Sequence, residues 1–311
     1  MMKKYIYKEL QFGIKSKFYY IIAGLLSIMF IVLIYYNYSS VIKTHERYLY
    51  YESYYIKNGI DINKDLSGSY KVETDANGGT TVTNPILYFK ELVGRYAYVA
   101  SPKYTLSQLL ESSILFFPLV FGAFGLFISN VDFKYNMTKC NTVRINKRMY
   151  NIAKQTSLIV SSIIILISSL TISYFINLIF YKILSARIPL DNFDIKIVNY
   201  HASIVNKFLY GFILALLFVE IGYTLGYITK NIIAGIMILA LYLYIVPILG
   251  KYDLKNIMYY LGSKCFDYYG SINIIEPIKV PLLLSLFIIF LILAGSIIIN
   301  ICISIKRSSY N

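Results

Sequence analysis

Charged residues are scarce. Asp, Glu, Lys and Arg make up 15% of the 311 residues, against 57% hydrophobic. Several apolar runs are long enough to cross a bilayer, and in so lightly charged a chain they exclude a pair of ordinary soluble domains. Histidine and cysteine are rarer still. His45 and His201 are too few for a metal site. Cys140, Cys265 and Cys302 share no close spacing, which removes a zinc site and a redox C-x-x-C pair and leaves free thiols as the expected state. There is no G-x-x-x-x-G-K-[ST], hence no phosphate-cradling loop, and neither H-E-x-x-H nor G-x-S-x-G occurs. No catalytic residue, metal site or chain-borne cofactor is expected.

Acidic residues number 16 against 30 Lys and Arg, a net charge of +14. In a soluble protein this would suggest nucleic-acid binding. In a membrane protein, Lys and Arg collect in cytoplasmic loops, so topology accounts for the charge and no nucleic-acid partner is expected.

What the chain does have is a series of spans. Residues 1–17 carry Met2, Ile6, Leu10 and Ile14 on one stripe among five lysines, which predicts an amphipathic helix at the inner membrane surface. Span 1 covers 18–38. It is longer than a signal-peptide core, and no A-x-A site follows. Residues 39–112 form a small external domain of helices around a short hairpin or loop. A helix is predicted from Pro85 to Tyr98, and Asn77-Gly78-Gly79 is a turn signal. The tyrosines at 48, 50, 51, 54 and 55 either bind a ligand or sit at the lipid headgroups. Span 2 covers 113–131, a basic cytoplasmic segment 132–156, span 3 157–184, an external loop 185–207, span 4 208–228 and span 5 232–249. An external segment 250–279, span 6 at 280–305 and a tail at 306–311 complete the chain.

With the N-terminus inside, the inner segments hold 14 Lys and Arg against two acids, Glu9 and Asp132. The outer segments, more than twice as long, hold 15 against 13 acids. Both termini are therefore assigned to the cytoplasm. The fold class expected is an all-α polytopic membrane protein with six transmembrane helices and an external domain between the first two.

Two span residues are candidates for function. Glu220 lies near the middle of span 4, where an ionisable group faces a partner or a cavity, or hydrogen-bonds a neighbouring helix in its protonated form. Pro118 interrupts the hydrogen-bond ladder of span 2 and either kinks the helix for movement or is structural. Gly222 and Gly226 form a G-x-x-x-G pair suited to close helix packing.

The basic segment interleaves Phe133, Met137, Val143, Ile145, Met149 and Ile152 with Lys134, Lys139, Arg144, Lys147, Arg148 and Lys154. Such a mixture suits a protein groove, or serves only as a charged loop against anionic headgroups. Four stretches resemble the permease subunit of type-2 ATP-binding-cassette (ABC) exporters: KELQFGIKSKFYYIIAGLL, SPKYTLSQLLESSILFFPLVFGAFGLFI, the segment Asp132 to Lys154, and YITKNIIAGIMI. The likeness is one of hydropathy and position over nearly the whole chain. It implies a cytoplasmic ABC ATPase dimer as partner, with ATP and Mg on that partner, and a second permease copy or paralogue. It implies docking through Asp132, Thr138, Arg144, Lys147, Arg148, Tyr150 and Lys154. Met137 stands where the family has glycine. The long external section is similar to that of permeases for antimicrobial-peptide export or immunity. The resemblance thus implies a bacterial plasma-membrane exporter of a peptide or lipid-like substrate. The alternatives are an external-peptide sensor or immunity protein without transport, or a membrane enzyme using Glu220.

Overall fold

The structure is a computed structural model that describes residues 2–74, 80–134, 146–193, 202–268 and 276–306. The protein is a predominantly helical, multi-pass membrane protein. Among the described residues, five helices are long and apolar enough to cross a bilayer.

Helix α1 (Met2–Lys15) packs along a much longer helix from the middle of the chain, and Leu10 reaches the main core. A tight turn at Lys17, in the left-handed region at φ 60°, joins α1 to α2 (Phe18–Lys57). Gly13 lets the Tyr19 ring pack against this corner, since a Cβ there would lie 2.1 Å from the ring and the tyrosine would have to move.

Helix α2 is 40 residues long, about 60 Å at 1.5 Å per residue and twice the hydrocarbon thickness. The helix expected to end near residue 38 thus continues 19 residues further. One face explains this: Ile22, Leu26, Phe30, Ile34, Asn37, Val41, Thr44, Tyr48 and Tyr55 are buried at spacings of three, four and seven, so the core-facing stripe does not stop where the lipid-facing residues do.

The section that follows holds α3 (Ile62–Leu66), the antiparallel hairpin β1 (Val72–Thr74) and β2 (Thr80–Val82), and α4 (Pro85–Ala100). Val72 pairs with Val82 and Glu73 with Thr81. Asn84 caps α4, its side chain accepting from the Leu87 N–H at 3.3 Å, with Pro85 in the first turn. The same side chain donates to the Asp65 carbonyl at 2.6 Å, tying α3 to α4. A second apolar core forms here from Val41, Tyr48 and Tyr55 of α2, Ile86, Phe89 and Val93 of α4, and Leu184, Ile188 and Phe193. The tyrosine cluster divides across it. Tyr48 and Tyr55 are buried, Tyr51 stacks on Phe89 at 5.2 Å, and Tyr50 and Tyr54 are exposed.

Helix α5 (Pro102–Glu111) was expected in the external domain. It packs closely against the bundle, with Tyr104, Thr105 and every residue from Ser107 to Glu111 buried. Helix α6 (Ser113–Lys134) follows, and then α7 (Lys147–Arg187), which at 41 residues overreaches the predicted span at both ends. A 3-10 turn, Leu190–Phe193, closes the second core.

Helix α8 (Ile204–Thr229) and α6 form the most intimate pair, at backbone contact. A Cβ on Gly222 would lie 2.0 Å from the Gly122 carbonyl oxygen, and one on Gly125 would lie 2.1 Å from that of Val219. Small residues allow this approach, which replaces lipid contact by dense van der Waals packing.

Helix α9 (Ile232–Ala240) passes into a π turn, Leu241–Ile245. Span 5 was expected to reach residue 249. The helical part is 14 residues, about 21 Å, because Val246 is extended ahead of Pro247, as a residue preceding proline favours. The chain then folds back. The Asp253 side chain accepts from the Leu249 N–H at 2.8 Å, and the Lys255 ammonium donates to the carbonyl of Val246. Helix α10 (Leu254–Cys265), in a segment expected to be external, buries Ile257, Met258 and Leu261 against the end of α8. Helix α11 (Leu282–Lys306) packs on α7 and α8 and leaves most of its surface outward.

Candidate functional site

Two polar clusters are enclosed by this bundle. The first centres on Glu220 of α8, which is 1% exposed. The side-chain amide of Asn300, on α11, donates to Glu220 Oε2 at 3.2 Å. The backbone carbonyl of Asn300 accepts from the Asn151 side chain of α7 at 3.4 Å, and Asn151 Oδ1 accepts from Gln155 at 2.7 Å. Glu220 Oε1 and Asn300 Oδ1 are buried and have no hydrogen-bond partner among the described residues. Buried polar atoms are normally satisfied, so this carboxyl–amide pair retains accepting capacity for a further donor.

The second cluster lies where α5 packs against the bundle. Three neighbouring side chains of α5 each bind a different long helix. Thr105 Oγ1 accepts from Asn177 of α7 at 2.5 Å, Ser107 Oγ accepts from Lys207 of α8 at 2.6 Å, and Gln108 Oε1 accepts from Asn37 of α2 at 2.6 Å. Lys207 is 1% exposed. Its ammonium lies 5.8 Å from the centre of the Tyr104 ring and 5.7 Å from that of Phe266, and it is within the field of the Asp267 and Glu111 carboxyls. Tyr104 donates to Glu111 Oε2 at 3.0 Å. Burial first, and then the Glu111 charge, push the Tyr104 hydroxyl well above the usual phenol range. A tyrosine held in its O–H form is a permanent donor to that carboxyl.

Sequence reasoning missed Ser107, Gln108, Glu111, Lys207 and Asp267. Each reads as an external polar residue, and no spacing joins positions separated by 100 residues. The one signal was the polar run TLSQ leading directly into span 2.

The expected docking residues divide. Asp132 lies in the last turn of α6, while Thr138 and Arg144 lie outside the described residues. Arg148 is exposed and Lys147 half-buried in the first turn of α7, which Asn146 caps by accepting from the Arg148 N–H at 3.1 Å. Tyr150 and Lys154 are buried, the Lys154 ammonium 5.8 Å from the centre of the Tyr150 ring. The Tyr19 hydroxyl is hydrogen-bonded with Ser161 and lies in the field of the Glu9 and Lys154 charges. Tyr150 and Lys154 are therefore buried in the first two turns of α7 rather than on an exposed face. Pro118 is buried in α6. It cannot donate to the Ile114 carbonyl, and the Tyr244 hydroxyl of the fifth segment bonds the adjacent Leu115 carbonyl at 2.9 Å.

Neither a protein-family model, nor a curated protein, nor a solved structure gives a significant match to this chain.

Proposed function

We propose that the chain is the permease subunit of an ABC exporter of the plasma membrane. It would have six spans, the fifth being the short α9 with its π turn, and both termini in the cytoplasm. A separate cytoplasmic ATPase dimer would supply the energy, and a second permease copy or paralogue would complete a path for a peptide or lipid-like substrate. The observation that supports this most is on α7. Lys147 and Arg148 stand in its first turn, and Asn151 and Gln155 follow one and two turns later in the same unbroken helix. Asn151 reaches Asn300, and Asn300 reaches Glu220. A force on the first turn of α7 would thus arrive at Glu220 without crossing a flexible joint. In this reading Lys147 and Arg148, with Asp132, Thr138 and Arg144, contact the ATPase, while Tyr150 and Lys154 anchor the contact from within.

The test is whether an ATPase gene neighbours this one and, if so, whether that ATPase co-purifies with the chain. Charge reversal at Arg144, Lys147 and Arg148 together should weaken association while membrane insertion persists. Unchanged co-purification would end the docking assignment. A second reading, an external-peptide sensor without transport, draws on the exposed Tyr50 and Tyr54. It requires peptide binding with no change in ATP hydrolysis in reconstituted membranes.

A further inference from the structure

A cavity of about 770 Å³ lies where α1 turns into α2 beside the end of α6. This is within the size range of small-molecule sites, roughly 300–1,000 Å³. Its walls are Phe12, Phe18, Ile21, Phe127, Ile128 and Val131. Phe18 and Phe127 stack at 3.7 Å along one side. Ile21 is exposed, so the cavity opens laterally from the bundle. Phe18 begins the first apolar run and Val131 closes the second, which sets the cavity at a membrane–water boundary.

Among the described residues, the only polar one in the lining is Ser16. It is exposed and flanked by exposed Lys15 and Lys17, the latter fixed in the left-handed turn. No Asp or Glu occurs between Leu10 and Thr44. Asp132, next after Val131, is the nearest acid along α6. An apolar chamber whose polar lining residue stands between two exposed lysines has the polarity of one class of molecule, an amphiphile with an acyl chain and an anionic head.

We propose that this cavity seats one anionic phospholipid, with an acyl chain against Phe18 and Phe127 and the phosphate at Lys15, Ser16 and Lys17. The lipid fills the seam between α1 and α6 and joins the N-terminal helix to the start of the 132–156 segment. This site is independent of the ATPase reading and of the orientation of the chain.

The protein has no tryptophan, so one introduced residue reports alone. Full-length F127W is reconstituted in phosphatidylcholine vesicles that contain a minor fraction of either phosphatidylglycerol or phosphatidylcholine with brominated chains. Brominated phosphatidylglycerol should quench at least twofold more than the same fraction of brominated phosphatidylcholine. The preference should vanish in F127W/K15Q/K17Q. A control tryptophan at Leu283, 82% exposed on α11, should show no preference. Ile21→Trp serves as the second reporter if F127W is not recovered folded. Equal quenching by the two lipids, or a preference that survives loss of both lysines, overturns the proposal. Quenching by either lipid weaker than at Leu283→Trp also overturns it, since another part of the chain would then fill the cavity.

Discussion

Asn300 holds two helices at once: its side-chain amide donates to Glu220 Oε2 at 3.2 Å, and its own carbonyl accepts from Asn151 at 3.4 Å. It is the joint between α7, α8 and α11. Replacement by leucine removes the one side-chain donor that reaches Glu220 among the described residues. A buried acceptor left without its donor costs about 1–3 kcal/mol. Asn300→Leu should lower the melting temperature in detergent, and Glu220→Gln/Asn300→Leu should cost less than the sum of the single changes, because the two residues share one interaction. Additive losses would show that the pair is not coupled. If the permease reading holds, Glu220→Gln alone should abolish substrate-stimulated ATP hydrolysis while the ATPase stays bound.

The α6–α8 contact makes a sharper demand. A methyl group on Gly222 or Gly125 meets backbone rather than a movable side chain, so the helices must separate. Gly222→Ala and Gly125→Ala should each destabilise by about 1–3 kcal/mol, the usual range for overpacking. Gly24 and Gly295 have nothing within 4 Å of an added Cβ, and alanine there should leave stability unchanged or raise it. Thermal unfolding of the four variants side by side separates the two classes.

Lys207 is buried within the field of the Glu111 and Asp267 carboxyls. Truncating one member of a buried charge group typically costs about 3–5 kcal/mol, because the remaining charge loses its compensation. Lys207→Met should therefore be recovered poorly. Lys207→Met/Glu111→Gln should regain part of the yield, measured as the monodisperse fraction on size-exclusion chromatography.

Acid should open the fold-back after α9. Burial pushes the Asp253 carboxyl up, but it accepts from the Tyr242 hydroxyl at 2.5 Å and from the N–H groups of Leu249 and Lys255, and these outweigh burial and hold it below the usual carboxylate range. A folded value below the unfolded one means that the unfolded chain binds protons first. The stabilisation is complete above the unfolded value of about 4 and is lost as pH falls through the folded value. Amide exchange at Leu249, corrected for its intrinsic pH dependence, should accelerate below about pH 4. Asp253→Asn should remove that pH dependence.

Sidedness can be read directly. Arg148 and Tyr54 are both exposed, the first at the start of α7 and the second near the far end of α2. In a cysteine-free background, a membrane-impermeant maleimide applied to intact cells should label Tyr54→Cys and spare Arg148→Cys until the cells are opened. The reverse pattern would invert the topology.

Much of the architecture was legible, and the failures have physical causes. Hydropathy marks the apolar runs, and Glu220 stood out because an ionisable residue in mid-span is costly. Its partner did not, since Asn300 lies 80 residues away and asparagine is common in this chain. The extension of α2 was written in the stripe Val41, Thr44, Tyr48 and Tyr55, but hydropathy falls across it and the period is visible only once a helix is assumed. Residues 232–249 read as a span because they are apolar, while Pro247 and the residue before it end the helix early. Helix α5 was illegible. Thr105, Ser107, Gln108 and Glu111 are polar, and only the convergence of α2, α7 and α8 turns them inward.

The unbroken length of α2 also determines what can be cut. Residues 39–57 continue the same helix as 18–38, so α2 offers no hinge at which the second core could be severed and studied as a free fragment. Helix α7 also reaches both cores, with Leu158 and Leu166 in one and Leu184 in the other. The two rods act as beams shared by the two compartments. A tilt of about 10° about the midpoint of a 60 Å beam swings each end by about 5 Å. Whatever grips one core therefore has mechanical leverage on the other.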